Sequence, residues 1–166
     1  MSLLTPAYKR AWRARPWSML LATWFGVGHI PGGPGTYAAI LVTPALVWLS
    51  AHVGLGWRLA GLIALSVVGC LWCDRAEGAV GEEDSRRIVL DEVVGVAWAI
   101  VWWDQLGWLA ALIGLVLFRV FDMWKPWPIS WVDARLSGGV GIMVDDVIAG
   151  WIAALLLVAL GFVLPL

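Results

Sequence analysis

The chain of 166 residues is 61% hydrophobic and 14% charged, with a mean hydropathy of +0.85, whereas soluble domains carry about 25% charge. This composition identifies a small integral membrane protein. The net charge of -1 excludes a nucleic-acid partner, which calls for a basic patch or stripe.

The N-terminal stretch MSLLTPAYKRAWRARPW is basic, but a glycine and proline cluster follows it. A secretory signal would instead carry an apolar core and a small-residue cleavage site there. We expect residues 1–21 to be retained as a basic cytoplasmic segment of a single domain spanning 1–166. The cluster itself, GVGHIPGGPGTYAA, matches neither of the usual nucleotide-binding loops. Two readings fit it: backbone N–H groups at a helix start cradling an anion, with the Thr36 hydroxyl beside them, or a rigid re-entrant turn.

Five apolar runs follow: Tyr37 to His52, Trp57 to Cys73, Val93 to Trp103, Trp108 to Phe121, and Val147 to Leu164. A membrane helix takes about 20 apolar residues, or somewhat fewer when its ends snorkel. The third and fourth runs are short and separated only by DQLG, so they form either a shallow hairpin or one bent element. Pro44 should kink the first run by removing a helix hydrogen bond. Cys70 and Cys73 in CLWC lack the second ligand pair a zinc site needs, so they are expected to be small apolar positions without a disulfide. The predicted fold is all-α: a polytopic bundle of about four to five membrane helices with a re-entrant glycine/proline loop.

Between the runs lie three polar islands, Gly26 to Thr36, Asp74 to Glu92 and Arg119 to Asp146. If the runs alternate across the membrane, all three islands and the N-terminus share one side. Ten of the eleven lysines and arginines then fall there, and only Arg58 lies opposite. The positive-inside rule makes that face cytoplasmic. Asp104 is the one acid on the far side, so the remaining acids gather with the islands. Trp124, Trp127 and Trp131 have the spacing of interfacial anchors at headgroup depth. In the last run, Ala149 with Ala153 and Gly150 with Ala154 are small residues four apart, which permits close helix packing.

Two acidic pairs interrupt apolar sequence: Asp91 with Glu92, and Asp145 with Asp146. Each is predicted at the mouth of a helix, in a first turn where the helix dipole favours negative charge. Capping explains one carboxylate per helix. A shared hard divalent cation, which takes oxygen ligands from carboxylates, water and phosphate, explains two. FRVFDMWKPWP adds Arg119 and Asp122 on one helical face and Lys125 just before Pro126, where the helix should end. Arg119 and Lys125 suit a phosphate; an internal pair of Arg119 with Asp122 and a snorkelling Lys125 account for them equally well.

The motifs PGGPGT, IVLDEVVG, FRVFDMWKPWPISWVD and GGVGIMVDDVIAG, in this order and at these separations, closely resemble the phosphatidylglycerophosphatase A family over roughly Ala22 to Ala154. The resemblance implies a bacterial inner-membrane lipid phosphatase facing the cytoplasm. Such an enzyme hydrolyses the terminal phosphomonoester of phosphatidylglycerophosphate to phosphatidylglycerol, with Mg2+. Carried onto this chain, the acidic set is Asp74, Asp91, Glu92, Asp122, Asp145 and Asp146, with Thr36, Arg119 and Lys125 as polar companions. From these we expect Asp91, Glu92, Asp145, Asp146 and the more remote Asp74 to ligate metal, and Thr36, Arg119 and Lys125 to hold phosphate. Asp122 or another of these carboxylates is the nucleophile if a covalent aspartyl-phosphate replaces water attack. The chain departs from the family at Ala38 and Ala39, where members carry Gly-Ser, and at Ile30, Ala134 and Ser137. The alternative of a different class is a small transporter or ion-binding module, since intramembrane acids often mark ion paths.

Overall fold

The computed structural model describes residues 5–82, 85–104 and 107–161, and every regular element among them is helical. In chain order these are α1 (Pro6–Ala14), α2 (Pro16–Ala22), a single 3-10 turn (Val27–His29), α3 (Pro34–His52), α4 (Leu55–Val80), α5 (Leu90–Ile100), α6 (Trp108–Trp124), α7 (Ile129–Asp133) and α8 (Gly138–Gly161). Prolines open α1, α2 and α3, where the missing N–H costs no hydrogen bond and the fixed φ suits the first turn. Gly81, at φ 74, ends α4 in the left-handed conformation that glycine adopts most cheaply.

Among the described residues three helices, α3, α4 and α8, are long and apolar enough to cross a membrane, in keeping with the expected all-α membrane bundle. α5 has 11 residues and α6 has 17. They are two separate helices rather than one bent element. α5 is the centre of the bundle: it is buried from Val93 to Ile100 and packs against α3, α4, α6 and α8. Its apolar run is short because it is enclosed by protein along its length. The outer helices turn large apolar side chains outward, for example Ile63, Val67 and Leu71 on α4. In lipid such a surface carries no penalty, because the surroundings are as apolar as the side chains.

Two helix boundaries are corrected, and the basic N-terminal segment gains a structure. From Pro6 onward that segment is folded into α1 and α2. Tyr8 is buried there and bonds to the Ser85 hydroxyl, and the Trp12 indole donates to His29 Nε2 at 3.0 Å. Burial and the nearby Arg87 hold the His29 pKa below its ordinary value, which keeps that nitrogen free to accept. First, α4 runs on through Asp74 to Val80, because DRAEGAV consists largely of good helix formers. Second, α8 begins at Gly138, not at Val147, so Asp145 and Asp146 lie two turns inside the helix. Gly139 and Gly141 permit that extension: a Cβ on Gly139 would strike the Cys70 carbonyl, and one on Gly141 would lie 2.6 Å from that of Leu136.

α3 continues through Pro44, and Cys70 and Cys73 are free thiols with Cys73 buried. At the end of the bundle remote from the acids, Arg58 is nearly buried and pairs with Asp104. It also donates to the carbonyls of Val101 at 3.0 Å and Trp103 at 2.6 Å. The lone cation and the lone acid of that face therefore close the chain after α5 onto α4.

Candidate active site

α5 and α8 run in the same direction and touch backbone to backbone, since a Cβ on Gly150 would meet the carbonyl oxygen of Gly95. One turn before each glycine stands an acid, Asp91 on α5 and Asp146 on α8. The crossing therefore turns these two carboxylates toward each other, and Glu92 joins them. Ligand oxygens of Asp91, Glu92 and Asp146 all lie within 4.8 Å of one another.

This cluster is short of protein partners. Asp91 Oδ1, Glu92 Oε2 and Asp146 Oδ2 are each buried without a hydrogen bond. The acids repel one another, Asp91 against Glu92 and Asp146 against Asp122, and the cation beside them, Arg119 Nη1, stands 3.9 Å from Glu92 Oε1. Two carboxyl groups can share a hydrogen bond only if one is protonated; a cation among them would satisfy the same oxygens without a proton. Hard oxygen donors of this kind suit a magnesium-like ion rather than a thiophilic metal.

Two helix N-termini offset part of the charge. Asp91 and Glu92 occupy the first turn of α5. Glu92 also abuts the start of α3, where a Cβ on Gly35 would collide with its carboxylate. The anion facing the glycine/proline loop is thus a side chain of this protein, and the partial positive charge of the α3 terminus favours it there. Gly35 was not singled out from sequence, although the glycines of PGGPGT carried the signal.

The cations are placed beside the cluster. Arg119 Nη1 is 2.5 Å from Asp122 Oδ2 and 3.9 Å from Glu92 Oε1, while its buried Nε has no partner. The internal Arg119–Asp122 pair is formed, yet the guanidinium still reaches the acid cluster. Thr36 and Arg119 line a common groove between α3 and α6.

Asp145 is separated from the Asp91–Glu92–Asp146 cluster. It accepts from Lys125 Nζ at 2.7 Å, and its Oδ1 accepts the Asp146 N–H at 3.0 Å. Adjacent residues on an α-helix project about 100° apart, and here that rotation turns Asp145 to Lys125 while Asp146 faces Asp91 and Glu92. Asp74 is apart as well: its exposed side chain accepts the Gly139 N–H at 3.4 Å, at the start of α8. The second partner of Lys125 is Asp133 Oδ1 on α7, at 2.5 Å, a residue that sequence reasoning left out. Lys125 sits just beyond α6 at φ 45, a left-handed conformation that costs a non-glycine residue about 1 kcal/mol or more. Burial alone would lower its pKa, but the hydrogen bonds from Asp133 and Asp145 prevail and hold it above the ordinary lysine value. It is a fixed positive charge at neutral pH.

The family model described as Phosphatidylglycerophosphatase A matches residues 20–161. The curated Phosphatidylglycerophosphatase A of Escherichia coli is 36% identical over 162 residues, covering 96% of this chain and 92% of the relative. Its counterpart in Haemophilus influenzae is 36% identical over 143 residues, 86% of this chain and 88% of the relative. A Bacteroides thetaiotaomicron protein with a provisional phosphatidylinositol-3-phosphatase name is 34% identical over 141 residues, 80% of this chain and 86% of the relative. No solved structure matches the chain.

Proposed function

This chain belongs to the phosphatidylglycerophosphatase A family and is a phosphatase; from that premise we propose that it hydrolyses the terminal phosphomonoester of phosphatidylglycerophosphate, with Mg2+, at the cytoplasmic face of a bacterial inner membrane. The observation that carries this reading is the convergence of Asp91, Glu92 and Asp146 within 4.8 Å, with three buried oxygens lacking partners. The basic residues of α1, which the Tyr8–Ser85 bond ties to the stretch just before α5, support the orientation.

Asp91, Glu92 and Asp146 would hold the ion. When bound, a magnesium ion supplies charge neutralisation on phosphate oxygens and a lowered pKa for water. The residues around it supply position. Arg119 is held by Asp122 and aimed past Glu92, so its guanidinium meets a phosphate oxygen without searching for a rotamer. Lys125, clamped by Asp133 and Asp145, presents a second positive charge to the transferring phosphoryl group. Water adds to phosphorus as the bond to the glycerol oxygen breaks, and one water proton ends on the departing alcohol. Asp122, the acid that acts electrostatically on Asp146, keeps one carboxylate oxygen outside its pair with Arg119 and is able to take and return that proton. Asp122 Oδ2 is paired with Arg119 at 2.5 Å, which leaves Oδ1 as the attacking oxygen of the covalent alternative.

The test is phosphate release from phosphatidylglycerophosphate in detergent, with magnesium and with a chelator. Release that needs the metal supports the proposal. Equal release in chelator would remove the ion from the mechanism, and hydrolysis of phosphatidylinositol 3-phosphate alone would move the substrate toward the name borne by the Bacteroides relative.

A further inference from the structure

Outside the acid cluster, an open groove of about 520 Å³ runs between α3 and α6. Its floor on α6 spans Leu115 to Trp124, about 13 Å at the helical rise. Val116, Val120 and Met123 along it are 57%, 47% and 75% exposed, and in a membrane protein that exposure is toward lipid. Its polar side chains are Thr36, in the first turn of α3, and Arg119. Arg119 is also 3.9 Å from Glu92. One side chain therefore belongs both to the groove and to the acid cluster.

A molecule matching this surface is apolar along most of its length and anionic at one point beside Arg119. A soluble phosphate ester would leave the apolar wall unused. A second cavity, of about 380 Å³ between α3, α4 and α5, is walled by Leu46, Leu62 and Ala97. The only cation there is Arg58, already engaged by Asp104 and two carbonyls, so it offers a phosphate nothing.

We propose that the α3/α6 groove is the lateral entry and seat of the lipid substrate. In it the glycerol and the upper acyl chain lie along Val116, Val120 and Met123, with the phosphate end delivered past Thr36 and Arg119 to the acids. This rests on the lipid-phosphatase reading and names the surface that reading needs. The groove opens sideways into the bilayer, so the lipid slides in without leaving the membrane. Chain selectivity then resides on α6 and not on the catalytic carboxylates.

The experiment has two arms. In the first, phosphatidylglycerophosphate carrying a diazirine on one acyl chain is photolysed with the wild-type protein in mixed micelles, and the labelled peptides are mapped. Label is expected between Leu115 and Trp124. In the second, Val120→Trp fills the groove, and Val67→Trp on the exposed face of α4 is the control. Val120→Trp should raise KM for the long-chain lipid about tenfold with kcat near wild type, and should leave a water-soluble short-chain analogue almost unaffected. Label concentrated at the α3/α4 cavity would overturn the proposal, as would equal slowing of both substrates in a Val120→Trp protein that melts like wild type. Crosslinking is read without turnover, so groove labelling in a protein that releases no phosphate would sustain the groove while sinking the catalytic reading.

Discussion

Gly150 lies against the backbone carbonyl of Gly95, with the Cβ of Trp98 3.0 Å from where a Gly150 Cβ would stand. The obstacle is main chain and cannot rotate aside, so α8 must move if a side chain is added. Overpacking of this kind costs about 1–3 kcal/mol. Gly150→Ala should leave an inserted, helical protein with phosphate release reduced about tenfold or more, because Asp146 is carried away from Asp91. Activity assays beside circular dichroism check this; wild-type activity would show that the crossing does not set the acid geometry.

Asp146→Asn and Asp74→Asn separate ligand from cap. Removing the Asp146 charge should lower activity about 100-fold or more, on the scale seen when a group stabilising developing charge is lost. Asp74 accepts only the Gly139 N–H among the bonds described for it, so its amide should cost about 1 kcal/mol of stability or less and little activity. A parallel loss in both would return Asp74 to the metal set.

Magnesium should stabilise the fold, since it binds the native cluster and not the unfolded chain. At about 100 times its Kd the gain is about 2.7 kcal/mol, several degrees of Tm. The shift should vanish in Glu92→Gln and persist in Asp145→Asn, whose carboxylate is engaged by Lys125. Thermal melts in detergent with magnesium and with chelator measure it. No shift in the wild type would count against the ion.

Gly35→Ala tests the contact between α3 and Glu92, whose carboxylate occupies the space a Cβ would take. Activity should fall about tenfold with the melting temperature nearly unchanged, because a displaced glutamate side chain can swing toward water. A protein that loses its fold and its activity together would make Gly35 a packing residue only.

Lys125 has a raised pKa, so the stability from its pairs with Asp133 and Asp145 is complete below the unfolded lysine pKa of about 10.4 and is lost only as pH rises through the folded value. The difference in Tm between wild type and Lys125→Met should therefore stay constant from about pH 6 to 9. A difference that collapses within that window would mean that Lys125 is not the charge holding α7 to α8.

The sequence alone determined the class, the all-helical membrane architecture and the gathering of acids, cations and glycines into a few short motifs. Those follow from local chemistry: apolar runs report what can lie in lipid, and a carboxylate inside such a run reports a cost that needs a partner. It did not determine where α8 begins, since a glycine-rich uncharged stretch before Asp145 fits a loop or a helix until Gly139 is seen packed on α4. Nor did it part the two members of the pair. Asp145 and Asp146 are chemically alike and adjacent, and only the rotation of α8, fixed where Gly150 meets Gly95, sends one to Asp91 and Glu92 and the other to Lys125. Asp133 and Gly35 joined the site for the same reason: their partners are distant in the chain, and only tertiary packing brings a lysine between two aspartates or a glutamate to the start of another helix.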